Sequence, residues 1–208
     1  MKTVANRSLL VACLVPSALA VIGCAGSQAN CPETTTTAAS ATLREPTTAP
    51  ESITVTIGGL EAGDRVPMES VFSGFGCTGQ NRSLALSWTP VEGAQSYAVI
   101  VHDPDAPTGV GFFHWIAVDL PAGTTSLPLG ASGSAMPEGT VETYTDFGAN
   151  GYGGPCPPPG APHRYEVTVY AVDAPSLGVP AGATGALVRF MLRQHSVAIG
   201  RATATFGQ

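Results

Sequence analysis

Two carboxylates and two imidazoles are concentrated in three short segments of a chain that carries few charges. Residues 103–107 read Asp-Pro-Asp-Ala-Pro, His114 precedes Trp115, and the glycine-rich run 151–156 leads on to His163. Only 12% of the residues are Asp, Glu, Lys or Arg. A carboxylate bonded to an imidazole fixes its tautomer and favours its charged form, which suits anion binding or proton transfer. We therefore expect the three segments to converge on one pocket.

The surrounding sequence places these segments at the ends of strands. Residues 97–101, 115–120 and 165–172 are β-branched or aromatic runs bounded by Gly, Pro and Asp, a pattern typical of strands. The segment that begins at Asp103 follows the first run, and its two prolines favour a rigid, extended turn. Because His114 opens the next strand, we expect Asp103 and His114 to face each other across the mouth of a hairpin.

Strand signals also dominate the rest of the domain. Residues 53–57 alternate strictly between apolar and polar side chains, and residues 84–88 alternate large apolar with small ones. Short strands in a chain with 25 Gly and 18 Pro predict a mainly β fold, a two-sheet antiparallel β-sandwich with irregular loops.

One short helix is predicted near the C-terminus, over residues 186–194. Leu187, Phe190 and Met191 recur there on one face at helical spacing, and we expect Phe190 and Met191 to pack in the core.

The N-terminus is typical of an exported lipoprotein. Lys2 and Arg7 precede an apolar run over residues 9–22 that is too short to be a stable membrane anchor, and Cys24 follows small residues. We predict a signal peptide over residues 1–23 and lipidation of Cys24, which would place the protein on the extracytoplasmic face of the cell membrane. Ordinary secretion, with cleavage after Ala20, is the alternative. Both readings predict export.

Residues 24–52 are rich in Thr, Ala, Ser, Pro and Glu, and they are predicted to form a disordered tether. A flexible chain of this length reaches about 30 Å. One folded domain is predicted over residues 53–208.

The charge balance argues against a nucleic-acid partner. Without Lys2 and Arg7 the chain keeps seven Arg against fifteen acidic residues, a net charge of −8, and it has no lysine. Binding to nucleic acid requires a basic patch that neutralises phosphates.

Two of the five cysteines, Cys77 and Cys156, belong to the predicted domain. In an oxidising compartment such a pair favours a disulfide. The alternative is two buried thiols that never come within bonding distance.

Taken together, the segments 103–107, 114–115, 151–158 and 163–165 resemble the bacterial branch of the phosphatidylethanolamine-binding protein family, also called the Raf kinase inhibitor-like family. Gly-Cys-Thr-Gly-Gln-Asn at 76–81 and Met-Pro-Glu-Gly at 136–139 extend the resemblance, which covers residues 53 to 206. It implies a β-sandwich with an anion pocket that accepts phosphate-like or acetate-like groups and the phosphoethanolamine headgroup.

The resemblance also implies which residues bind the ligand, and all of them lie in the segments just described. They are Asp103, Asp105, His114, Gly154, Pro155, His163 and Tyr165.

In a protein of negative charge, this pocket must hold an anion through local donors. We expect His114 and His163 to donate N–H bonds, and the backbone amides of residues 151–154 to form an anion-binding nest. Asp103 would orient an imidazole, and Asp105 would face the ammonium group of ethanolamine.

The sequence departs from the family pattern in two places. Residues 81–84 read Asn-Arg-Ser-Leu where bacterial members usually read Asn-x-Ser-Pro. The chain also stops soon after the predicted helix, without the long C-terminal helix of eukaryotic relatives, which implies a more open pocket.

These observations favour a non-enzymatic binding protein without cofactor or metal. The sequence has no Gly-x-Ser-x-Gly elbow, phosphate-binding loop or Cys-x-x-Cys motif. Three alternatives stay open at this point: a hydrolase that uses an Asp–His pair, a metal site built from the His and Asp residues, and an inhibitor that binds a protease or signalling enzyme.

Overall fold

The computed structural model of the protein describes residues 52–208. The predicted signal peptide 1–23, the lipidation site at Cys24 and all but the last residue of the predicted tether lie outside the described residues.

The described part of the chain is mainly β, as predicted, with one α-helix. In chain order the elements are β1 (Val55–Ile57), a 3-10 helix (Met68–Ser70), β2 (Ser73–Gly74), β3 (Cys77–Thr78), β4 (Leu86–Trp88), β5 (Ser96–Asp103), β6 (Phe112–Pro121), β7 (Ser126–Leu127), β8 (Val141–Glu142), β9 (His163–Val172), α1 (Gly185–His195) and β10 (Ser196–Phe206).

The strands form two main antiparallel sheets. The larger sheet has the strand order β10-β9-β5-β6-β8, the smaller one has the order β1-β4-β7, and β2 and β3 form a separate hairpin. The main core lies between the five-stranded sheet and the three-stranded sheet. It contains the aromatic side chains of Trp88, Tyr97, Trp115 and Tyr165. Full burial of each large apolar side chain contributes about 1.5–3 kcal/mol, so this contact is the main stabilising feature of the sandwich.

Strand β5 is buried along its whole length because both faces of the larger sheet are covered. Tyr97, Val99 and Val101 belong to the core between the sheets. Ala98 and Ile100 point to the opposite face and belong to a second core beneath α1. Double coverage explains why this strand is a continuous apolar run rather than an alternating one.

Helix α1 has the predicted extent. The prediction of its buried face holds for Met191, which is partly buried against the second core, and is wrong for Phe190. Val188 and Leu192 are its buried large side chains, whereas Phe190 is 61% and Leu187 43% exposed. The helix approaches the sheet through Gly185, where a Cβ would come within 2.7 Å of the Phe113 ring. Apolar residues lie on both sides of this helix, so spacing alone did not identify the face that packs.

The long strand β10 was missed by the sequence analysis. It follows α1 directly and pairs with β9 along nearly its whole length. Ala and Gly residues separate its β-branched and aromatic side chains, so the strand lacks the continuous run that marks β5, β6 and β9. The eleven residues that follow the helix thus form the edge strand of the larger sheet.

No helix in residues 52–208 combines the length and apolar character that a bilayer crossing requires.

The predicted Cys77–Cys156 disulfide is present. The two Cα atoms are 5.9 Å apart, and the bridge closes a loop across 79 positions of sequence. It connects β3 to the proline-rich segment that precedes β9.

We predict that the double substitution Cys77→Ala/Cys156→Ala lowers the free energy of unfolding by about 4 kcal/mol, because opening so long a loop restores entropy to the unfolded chain. Guanidinium denaturation of the full chain measures this. Cys31→Ala is the matched control and is expected to unfold at the unaltered denaturant midpoint. A loss below about 1 kcal/mol in the double variant contradicts the prediction.

Candidate ligand-binding site

A cavity of about 170 Å³ opens where β5 ends and where β6 and β9 begin. Its walls are mostly aromatic and proline side chains, with four polar side chains from the three strands. The lining residues are Phe75, Asp103, Ala106, Pro107, Thr108, Phe112, His114, Phe147, Cys156, Pro157, Pro158, His163 and Tyr165.

The carboxylate of Asp103 is buried and fully bonded. Oδ1 accepts the backbone N–H groups of Asp105 and Ala106 at 2.8 and 3.0 Å, which shapes the proline turn. Oδ2 accepts the Nδ1–H of His163 at 2.7 Å. Asp103 therefore does orient an imidazole, but that imidazole belongs to His163 and not to the hairpin neighbour His114. With Nδ1 engaged, a ligand can bond only to the Nε2 of His163.

His114 is bonded to the glycine-rich loop instead. Its Nδ1 lies 2.7 Å from the carbonyl oxygen of Gly153, and its own carbonyl accepts the Gly153 N–H at 2.8 Å. A carbonyl only accepts, so Nδ1 carries the proton. Burial lowers the pKa of His114, which keeps the ring neutral at pH 7. Its Nε2 is then an acceptor, which corrects the expectation that His114 donates to an anion.

A bulge in β6 turns the side chain of His114 to the face of the larger sheet on which the cavity lies. Val101 lies opposite Trp115 while His102 lies opposite Phe113, so His114 is an extra residue between the two pairs. As a result His114 and Trp115 both point between the sheets, although neighbours in a regular strand point to opposite faces. The hydrophobic pattern of the sequence contains no sign of this bulge.

The hydroxyl of Tyr165 is a buried donor beside the Asp103 carboxylate. Tyr165 is 1% exposed, and its oxygen makes no hydrogen bond of acceptable geometry within residues 52–208. Burial and the nearby Asp103 carboxylate raise the pKa of this phenol above its usual value. The group therefore keeps its proton and can donate it to a ligand.

Three phenylalanines that the sequence analysis missed form the aromatic wall of the pocket: Phe75, Phe112 and Phe147. Phe147 contacts Phe112 edge-on, with ring centroids 4.9 Å apart, and lies 5.4 Å from the ring of His114. Phe75 is mostly exposed at the rim and stacks against Phe147 at 6.2 Å. Only Phe112 lies close enough in sequence to a predicted site residue to have been suspected.

The predicted anion nest in the glycine-rich loop is wrong for three of its four amides, because internal acceptors already occupy them. The N–H groups of Tyr152, Gly153 and Gly154 donate to Ser132 Oγ, the His114 carbonyl and Asn81 Oδ1, respectively.

Gly154 and Pro155 do not line the cavity. A Cβ on Gly154 would lie 2.1 Å from the carbonyl oxygen of Ser70, so only glycine permits this close approach of two backbones. Pro155 accepts the Phe72 N–H through its carbonyl at 3.0 Å. Both residues hold the loop against the neighbouring segment.

Asp105 also lies outside the cavity lining. Its carboxylate forms a two-pronged ion pair with the Arg164 guanidinium at 2.9 and 2.7 Å and accepts the Arg164 backbone N–H. These bonds lower the pKa of Asp105 to about 2. Asp105 thus fastens the proline turn to β9 and does not face a ligand in the pocket.

The described residues contain no cluster of three or more His, Cys, Asp or Glu side chains that could hold a metal ion. Of the seven predicted ligand residues, the structure brings four together, Asp103, His114, His163 and Tyr165, and their role in binding stays a prediction.

Comparison with known proteins supports the resemblance. Residues 60–207 match the family described as "Phosphatidylethanolamine-binding protein". Protein YbhB of Escherichia coli strain K12 is 47% identical over 150 residues, which cover 71% of this chain and 95% of YbhB. The Mycobacterium tuberculosis H37Rv protein named "Putative lipoprotein LppC" is 32% identical over 208 residues and 99% of both chains.

Among solved structures, the crystal structure of E. coli YbcL, described as a new member of the mammalian PEBP family, is similar with a TM-score of 0.73. The two chains are 40% identical, and the match covers 76% of this chain and 99% of YbcL.

We predict that the free energy of unfolding decreases as the pH falls below about 6.5. Burial lowers the pKa values of both His102 and His114, so these rings are neutral in the folded chain but take up protons on unfolding. Each contributes a slope of up to about 1.4 kcal/mol per pH unit, from the unfolded pKa down to the folded one. Urea denaturation of the full chain at a series of pH values measures the slope.

His114→Gln and His102→Gln are each expected to reduce this slope by up to about 1.4 kcal/mol per pH unit, the contribution of one proton. This reduction is expected whatever the variants do to stability at neutral pH. A slope that both variants leave unchanged contradicts the assignment.

Proposed function

The chain belongs to the phosphatidylethanolamine-binding protein family, and from that premise we propose that its pocket binds a phosphoethanolamine-like headgroup without catalysing a reaction. The shared chemistry is a phosphate ester with an amine, and it could come from a phospholipid or from a free small molecule.

The observation that carries this proposal is the buried hydroxyl of Tyr165, which interacts with the Asp103 carboxylate but makes no hydrogen bond of acceptable geometry to the described chain. A buried polar group whose hydrogen bond is poorly formed destabilises the fold. A phosphate oxygen in the pocket would be a better-placed acceptor for this hydroxyl. The donor lines the same cavity as His163, whose Nε2 is left for a ligand.

The polar groups of the pocket match a zwitterion better than a simple anion. The Nε2 of His163 would be the donor to a bound phosphate, and the Asp103 carboxylate bonded to Nδ1 would balance the charge of the ring. Neutral His114 offers an Nε2 lone pair, which suits an ammonium N–H. One site thus presents donors for the acidic end of the headgroup and an acceptor for the basic end.

The apolar rim supports a ligand with a nonpolar part. The cavity volume of about 170 Å³ accommodates a headgroup but not acyl chains. Phe75 at the rim and the ring of Phe112 inside would contact the glycerol or the first methylenes of a lipid.

Binding rather than nucleophilic catalysis is supported by the state of the reactive side chains. Thr108 is the hydroxyl residue of the lining other than Tyr165, and it donates to the Gly111 carbonyl. Cys156 is held in the disulfide.

The full-length similarity to a protein named as a lipoprotein supports a tethered location. We propose that Cys24 is acylated after removal of residues 1–23, which would hold the pocket at the extracytoplasmic face of the membrane.

We predict that Tyr165→Phe weakens phosphoethanolamine binding about five- to tenfold, the effect of one lost hydrogen bond. Stability should change by less than about 1 kcal/mol, because this hydroxyl interacts with the Asp103 carboxylate without forming a hydrogen bond of acceptable geometry. Isothermal titration of the full chain, with thermal unfolding in parallel, measures both quantities.

Tyr97→Phe is the matched control. The Tyr97 hydroxyl accepts the Val91 N–H at 2.8 Å far from the pocket, so this variant should lose about 1 kcal/mol of stability and keep its affinity. Titration with short-chain phosphatidylethanolamine, inorganic phosphate and ethanolamine separates lipid from free ligand. If Tyr165→Phe and the unaltered chain bind phosphoethanolamine with equal affinity, the ligand does not bind in this pocket and the proposal fails.

A further inference from the structure

We propose that the surface formed by α1 and the first half of β10 docks the folded domain onto an anionic lipid bilayer. We call it the α1–β10 surface, and it comprises residues 186–201. It lies on the face of the larger sheet opposite the ligand pocket, where His102 marks one side of β5 and Asp103 the other.

Charge is distributed very unevenly along the chain. The last acidic residue is Asp173, and residues 174–208 carry three arginines and no carboxylate side chain, although the protein as a whole has a net charge of −6. Those three arginines, Arg189, Arg193 and Arg201, line one groove between α1 and the sheet. Such a local concentration of positive charge attracts anionic partners even when the protein as a whole is acidic.

The three guanidinium groups are not neutralised by the protein itself. None forms an ion pair with another residue of the 52–208 region, and Arg189 instead lies over the Phe113 ring, 4.6 Å from its centroid. Glu166 is the acidic residue of the groove lining, and it lies 4.0 Å from Arg164. The arginines are therefore available to phosphate groups.

Exposed apolar side chains are concentrated on the same surface. The described residues include eight exposed large hydrophobic side chains, and four of them lie between positions 187 and 199: Leu187, Phe190, Val197 and Ile199. Exposed apolar residues mixed with arginines are typical of elements that lie in a membrane interface.

The position of the apolar residues favours a bilayer over an acidic peptide. Phe190 and Ile199 line the groove, but Leu187 and Val197 lie outside it. A peptide in the groove would leave those two uncovered. A bilayer can contact all four while its headgroups reach the arginines.

A fluorescence reporter at the surface tests the proposal even if the N-terminus independently attaches the chain to vesicles. The full chain carrying Phe190→Trp is mixed with phosphatidylcholine vesicles that contain a brominated lipid, with or without phosphatidylglycerol. Trp88 and Trp115 are buried and give a constant background. We expect quenching and a blue shift only with phosphatidylglycerol, and reversal by high salt.

Adding Arg193→Gln/Arg201→Gln to the reporter chain should weaken its partitioning onto the vesicles about 25-fold. Each arginine near an anionic surface contributes about a factor of five. Arg65→Gln/Arg82→Gln removes the same charge elsewhere and should change partitioning little. A Met68→Trp reporter, exposed outside this surface, should remain unquenched. Phosphoethanolamine binding by Arg193→Gln/Arg201→Gln should equal that of the unaltered chain, so the pocket and the surface are tested separately.

Three results overturn the proposal: an unquenched Phe190→Trp reporter, equal quenching by neutral vesicles, or equal effects of the two double arginine substitutions. The fluorescence of the Phe190→Trp reporter could also stay unchanged with phosphatidylglycerol vesicles but shift with soluble polyglutamate. In that case the groove binds acidic protein segments and the membrane proposal fails.

Discussion

A carboxylate can be buried only where donors satisfy its oxygens, and this requirement at Asp103 organises the pocket. The two backbone amides that it accepts shape the proline turn, and the His163 imidazole joins that turn to β9. The neighbouring carboxylate of Asp105 fastens the same turn to Arg164 from outside the cavity. The two carboxylates thus have different tasks. Asp103 orients the His163 imidazole inside the cavity, and Asp105 holds the proline turn against β9 from outside.

The second organising feature is the larger sheet, which is covered on both faces. The small sheet buries one side and α1 buries part of the other. Because α1 covers only part of its face, the outer side of β9 and β10 remains open and holds the arginine groove. The fold therefore separates a recessed, mostly apolar pocket from a broad basic surface, and each can meet a different partner.

Sequence reasoning identified the sandwich, the helix, the disulfide and the four polar residues that meet in the pocket, because strand periodicity and the family motifs lie in contiguous residues. It was wrong about Phe190 on the helix, because apolar side chains flank Val188 and Leu192 on more than one side. It missed β10, whose Ala and Thr residues pack only because β9 provides a partner. It also assigned to the glycine-rich loop a nest whose amides are consumed by Ser132 and Asn81, which are distant in sequence. These errors share one cause, since each depends on which segments meet in space.

The alternation of β5 has a consequence for how this chain can change over evolutionary time. Successive residues of the strand point to opposite faces, so His102 faces the groove and Asp103 faces the pocket. An insertion or deletion of one residue between Tyr97 and Asp103 would exchange these two side chains and turn Val99 and Val101 out of the core between the sheets. A change of two residues would preserve every assignment. A single-residue change in this strand would therefore need a compensating bulge, such as the one at His114 in β6, to keep both surfaces intact.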